Sequence, residues 1–151
     1  CIAVAGGGGQ VIDDGLQDKW DPQIWEDLVV WVDTRNGGDQ ATRTNSDIYM
    51  RNLMTGETRQ VTTNPYTQMD RIDVLGDRVV WTDLRDDPLY PSAWSQADNL
   101  NIYGYSISTG QECRMTDGEG IEGHPRLFED RLLYIMRDDF GFLSLFMVQL
   151  D

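Results

Sequence analysis

The sequence predicts an all-β chain made of three four-stranded antiparallel units. Three observations carry this: a string that recurs at a fixed interval, a second string that follows it each time, and the absence of any helical periodicity. Asp27-Leu-Val-Val-Trp-Val-Asp-Thr-Arg35 returns fifty positions later as Asp77-Arg-Val-Val-Trp-Thr-Asp-Leu-Arg85. A degraded third form is Asp130-Arg-Leu-Leu-Tyr-Ile-Met-Arg-Asp138.

Within a unit, a first extended segment ends in a tight turn at Glu26-Asp27, Gly76-Asp77 or Glu129-Asp130. The second strand is the repeated string itself. Its apolar runs, Leu28–Val32 and Val79–Trp81, are continuous and not alternating, which is the mark of a strand buried on both faces. The third strand is Asp47-Ile-Tyr-Met-Arg-Asn-Leu-Met-Thr-Gly56, then Asn101-Ile-Tyr-Gly-Tyr-Ser-Ile-Ser-Thr-Gly110, then Leu145-Phe-Met-Val-Gln-Leu150. Thr-Gly closes the first two of these as a turn signal. The fourth strand follows as Arg59-Gln-Val-Thr-Thr-Asn64 and as Arg114-Met-Thr-Asp-Gly118.

A third copy of that last strand is missing after Leu150, and its equivalent stands at the other end. Gly9-Gln-Val-Ile-Asp-Asp-Gly15, followed by Asp21-Pro22, has the spacing of Gln60-Val-Thr-Thr-Asn64 followed by Asp70-Arg71. The reading is therefore a tether over 1–9 and a repeat unit over 10–151. Its blades run from about 21 to 64, about 70 to 117 and about 124 to 151, the last closed by a strand at 9–14. Units of about 50 residues with four short strands have the size of β-propeller blades.

Taken together, Pro-x-Ile, Asp-x-Val-Val-Trp-x-Asp-x-Arg, Asp-Ile-Tyr, Thr-Gly and Val-Thr resemble the TolB-like β-propeller repeats of periplasmic and cell-surface proteins. The resemblance covers residues 10 to 150 in three copies, and the third departs most, with Tyr134, Met136 and Asp138 in place of Trp, Asp and Arg. It implies a propeller fold and an extracytoplasmic location. It also implies a binding role, since most such propellers bind other proteins and a minority accompany hydrolases or lyases.

Closed propellers hold roughly 4–8 blades, so three cannot close alone. The expectation is a homodimer forming a six-bladed ring, with residues 9 to 14 of one copy completing the last blade of the other. A longer chain cut to three blades is the other possibility.

Composition narrows the partners. Twelve Lys and Arg against 26 Asp and Glu give a net charge of −14, which repels nucleic acid and anionic lipid. No stretch approaches the roughly 20 apolar residues of a membrane span. Cys1 before the small, Gly-rich segment to Gly9 resembles a lipidated lipoprotein N-terminus, and a lipid there is the one membrane contact expected. A disulfide from Cys1 to Cys113 and a chain boundary that happens to fall at a cysteine are the alternatives.

Long connections gather at one end of the blades, and such insertions make binding faces. Tyr90 and Trp94, in the Leu84–Asn99 insertion, are the leading contact candidates, with Tyr66 in the Asn64–Asp70 link. The pairs Asp33/Arg35 and Asp83/Arg85 sit at strand ends, where they bind a charged partner or a sugar, or serve as internal ion pairs. The acidic links Asp13 to Asp21 and Asp117 to Glu122 raise calcium, but no EF-hand or nonapeptide pattern supports it, and no cofactor is predicted. His124 is the single histidine and no nucleophile elbow or phosphate loop is present. The function expected is a non-catalytic, protein-binding scaffold, the alternative a carbohydrate-binding or carbohydrate-active module.

Overall fold

Strand-forming residues separated by tight turns leave the chain few options, and it forms sheets throughout. The computed structural model describes residues 9–37, 45–65, 71–87, 99–118, 120–138 and 140–151. The first unit contains β1 (Lys19–Trp25), β2 (Leu28–Asp33), β3 (Asp47–Asn52) and β4 (Thr58–Gln60). The second contains β5 (Asp73–Leu75), β6 (Arg78–Asp83), β7 (Asn101–Ser106) and β8 (Glu112–Arg114). The third contains β9 (Ile121–Phe128), β10 (Arg131–Arg137) and β11 (Leu143–Gln149). Each unit is one antiparallel meander with sequential strand order, four-stranded twice and three-stranded once.

Left-handed residues punctuate every blade at equivalent places. The turn after the first strand has φ of 48° at Glu26, 59° at Gly76 and 55° at Glu129. A second set lies inside or just before the first strand: Asp21, Arg71 and His124, at 50°, 80° and 58°, followed by Pro22, Ile72 and Pro125. These kinks interrupt the pairing of β1 and of β9 with their neighbours, yet the chain pairs again beyond them. That is why blade 1 starts at Lys19 and blade 3 at Ile121, earlier than the sequence spacing indicated. The backbone also makes Arg71, and not Asp70, the partner of Asp21 in the repeat.

Packing follows from strand parity. Val30, Val32, Ile48 and Met50, on the rear face of blade 1, join Val74, Val79, Trp81 and Tyr103 of blade 2 in one buried cluster. Val80 and Ile102, on the rear face of blade 2, join Leu132 and Tyr134 of blade 3 in another. The repeats compensate one another in volume. Gly104 takes the register position of Met50, and a Cβ on Gly104 would collide with Met115 Sδ, the side chain that fills the space. The fourth strand is tied in the same way twice, Thr62 Oγ1 accepting from Ile48 N at 2.9 Å and Thr116 Oγ1 from Ile102 N at 3.0 Å.

Residues 9–14 form no strand within the chain, and the outer edge of β11 carries no paired strand among the described residues.

Glycine relieves the left-handed turn where glutamate is strained, and Gly76 already does so in blade 2. Glu26→Gly and Glu129→Gly should each raise the unfolding free energy by about 0.5–1 kcal/mol. Denaturant midpoints measure this; an unchanged or lower midpoint contradicts it.

Candidate functional site

The recurring Trp-x-Asp-x-Arg string becomes a closed clasp at the end of the second strand. In blade 1, Asp33 is 0% exposed and accepts from Trp31 Nε1 at 3.0 Å, Arg35 N at 2.8 Å and Arg35 Nη2 at 2.5 Å. The Arg35 guanidinium then lies 4.1 Å over the Tyr49 ring, which stacks on Trp31. Blade 2 repeats the arrangement: Asp83, also 0% exposed, accepts from Trp81 Nε1 at 2.8 Å, Arg85 N at 2.9 Å and Arg85 Nη2 at 2.6 Å. Arg85 covers Tyr103 at 4.0 Å.

Alternation explains why these residue types stand at this spacing. Residues two apart in a strand share a face, so an indole N–H can reach the carboxylate two positions on. A buried carboxylate needs a cation and several donors, and the planar guanidinium supplies both while stacking on the aromatic of the next strand.

Further partners extend each clasp. Arg35 Nη2 reaches Asp13 at 2.6 Å, and Lys19 Nζ lies 3.4 Å from Asp13 and 3.7 Å from Asp33. Arg85 also pairs with Glu112, and Tyr103 OH donates to Asp86 Oδ2 at 2.7 Å. Burial pushes the Asp13 carboxyl up, but Arg35, the Gly15 amide and Lys19 outweigh it and hold it at about 2. Asp33 is lowered in the same way, burial opposing the bonds from Arg35 and Trp31 that win. Burial, with Asp86 behind it, pushes the Tyr103 hydroxyl up.

Blade 3 lacks the clasp. Tyr134 stacks on Phe146 at 5.5 Å, but Met136 replaces the aspartate. Glu122 stands where β1 has Lys19, opposite Met136 as Lys19 is opposite Asp33. It is 2% exposed and its Oε2 has no hydrogen-bond partner among the described residues.

A different link joins all three blades. Asp21 accepts from Arg71 N and, at 2.7 Å, from Ile72 N, while Arg71 Nη1 lies 2.7 Å from His124 Nδ1. The left-handed kinks thus meet where the first strands converge. Sequence reasoning placed His124 at a blade start and Asp13 in an acidic link but missed this chain and the pairing of Asp13 with Arg35, because neither contact is visible in spacing along one repeat.

Of the candidates named from sequence, Asp33, Arg35, Asp83 and Arg85 are brought into these clasps. Cys1, Tyr66, Tyr90 and Trp94 lie outside the described residues. Cys113 is exposed and free. Among the described residues no group of three or more His, Cys, Asp or Glu is placed to hold a metal, and no helix is long and apolar enough to cross a membrane.

Removing one partner of a buried pair strands the other. Arg85→Met should cost about 3 kcal/mol, with Asp83 left charged inside the blade, while exposed Arg137→Met should change stability by less than about 0.5 kcal/mol. Chemical denaturation compares them, and equal effects contradict the clasp. The acid limb adds a second check. Asp13 is depressed in the folded state, so its contribution is complete above its ordinary 3.8 and fades as pH falls toward about 2. Asp47, pushed up by burial, works in the opposite sense. Asp13→Asn should therefore flatten the loss of stability across that window; an unaltered acid limb contradicts the assignment.

No protein-family model matches the sequence, and no curated protein matches it. Solved structures do match. TolB from Acinetobacter baumannii superposes with a TM-score of 0.67 at 17% identity, covering 97% of this chain and 33% of that one. The putative TolB from Agrobacterium tumefaciens gives 0.58 at 21%, covering 82% of this chain and 39% of its own. An oligogalacturonate lyase in complex with manganese gives 0.57 at 17%, covering 94% and 38%. The chain thus spans only 33–39% of the length of these proteins, and the likeness is one of architecture. The chain has the fold of a TolB-like β-propeller.

Proposed function

We propose that this chain is a non-catalytic, extracytoplasmic propeller component that binds protein, itself first, and offers its loop end to another protein or a surface assembly. The observation that carries this reading is the uncovered apolar face of blade 3, where Leu145 and Met147 stand exposed at positions that are buried in blade 1. A contiguous apolar surface of that kind marks a protein contact. The charged pairs at the strand ends support a structural role, since each buried aspartate is already engaged with its own arginine and indole. The repeat resemblance supports the location, and a lipid on Cys1 would tether the propeller to a membrane surface.

Light scattering on the purified chain should give a multiple of 17.2 kDa, or a defined complex with another protein at higher mass. A monomer that takes no protein partner but binds or cleaves an oligosaccharide overturns the reading.

A further inference from the structure

The internal junctions of the stack define what each end of it lacks. At the first junction the rear face of blade 1, Val30, Val32, Ile48 and Met50, meets the front face of blade 2, Val74, Val79, Trp81 and Tyr103. The strand registers carry these positions to the free ends. Trp31 faces Tyr49 as Trp81 faces Tyr103 and Tyr134 faces Phe146. The rear face of blade 3 is therefore Leu133, Ile135, Leu145 and Met147, and the front face of blade 1 is Ile24, Val29, Trp31 and Tyr49.

All eight of these residues are aliphatic or aromatic. Leu145 and Met147 are 69% and 63% exposed where Ile48 and Met50 are 0% and 2%. Ile24 is 64% exposed where Val74 is 5%. Ile24, Leu145 and Met147 stay open where their equivalents at a junction are covered, whereas Trp31 and Tyr49 are already buried at 4% and 6%, Tyr49 beneath the Arg35 guanidinium; the two ends are of opposite kind, one rear and one front. A groove of about 200 Å³ already runs along the front face, lined by Ile12, Pro22, Val29 and Trp31 among others.

The free strand edge points the same way. β4 pairs with β3 through Tyr49↔Gln60 and Met50↔Arg59, and β11 has no such partner among the described residues. The repeat equates Gly9-Gln10-Val11 with Arg59-Gln60-Val61. Val61 is 7% exposed inside the first junction and Val11 is 71% exposed. Asp13, two residues on, is tied to Arg35 of blade 1, which keeps this segment beside the front face.

We propose that a second copy of this chain completes the stack at both ends. The rear face of blade 3 in one copy seats on the front face of blade 1 in the other. Residues 9–11 of that second copy add to the edge of β11, with Gln10 opposite Phe146. Closed propellers hold roughly 4–8 blades, and six is the only multiple of three in that range. Two copies related by a half-turn thus close the ring through two identical junctions. The inference rests on the scaffold reading and names the surfaces and the partner for it.

The test is oxidative cross-linking of Gly9→Cys/Met147→Cys in a Cys1→Ser/Cys113→Ser background. The expected product runs at twice 17.2 kDa under non-reducing conditions. A bond closed within a single chain, or no bond, overturns the strand exchange. In parallel, Leu145→Asp and Ile24→Asp should each weaken association by about 100-fold or more, while Met54→Asp, on an exposed outer turn, leaves it unchanged. Far-UV circular dichroism confirms that the blades persist. A wild-type chain that self-associates but is indifferent to both aspartates sinks this interface and spares the scaffold reading; a wild-type monomer that binds a different protein sinks the second copy as occupant.

Discussion

The structure depends on one constraint: the sheets carry apolar residues on both faces, so each is stabilised by stacking a face on its neighbour. In an ordinary surface sheet alternation puts polar residues outward, and the unit is finished by covering one side. Here the second and third strands bury residues of both parities, and the hydrophobic free energy is recovered only by stacking rear face on front face. At the ends of this stack Ile24, Leu145 and Met147 stay exposed. Register matters doubly, since a slip by one residue would exchange the two faces of a strand, and the left-handed turn residues hold that register.

Against this apolar stack, the Trp–Asp–Arg–Tyr clasps handle charge at the loop end. A carboxylate at 0% exposure is tolerable because an indole, an amide and a guanidinium converge on it, and the guanidinium is in turn stacked on tyrosine. The clasp therefore fastens strand 2 to strand 3 and to the connecting loop at once. Blade 3 has exchanged it for Met136 and a buried Glu122 whose second oxygen has no hydrogen-bond partner among the described residues, and it relies on Leu132, Tyr134 and Phe146 packed against blade 2. The blade with the weakest polar framework is also the one with the open face and edge.

Much of this was legible from residues alone. The strands, the tight turns and the equivalence of Trp31, Trp81 and Tyr134 follow from a triple repeat, because turn chemistry and apolar runs act over a few positions. The blade starts were misplaced by a few residues, since a left-handed kink at Asp21 or His124 looks like a boundary when it is a bulge that pairing resumes across. Asp13 joining Arg35, and Asp21 joining Arg71 and through it His124, lie between segments far apart in the chain and left no local signal.

By itself, then, the sequence determined the three repeats and the strands that recur within them, and it singled out the Asp/Arg pairs without deciding between a binding role and internal ion pairs, because repeat spacing and turn chemistry act within one unit. The tertiary structure decided which face of each strand meets which neighbour, and so which apolar residues stay uncovered. A strand that is apolar on both sides carries no mark of the side its neighbour takes; only the stacking order makes Ile48 buried and Leu145, its equivalent, exposed.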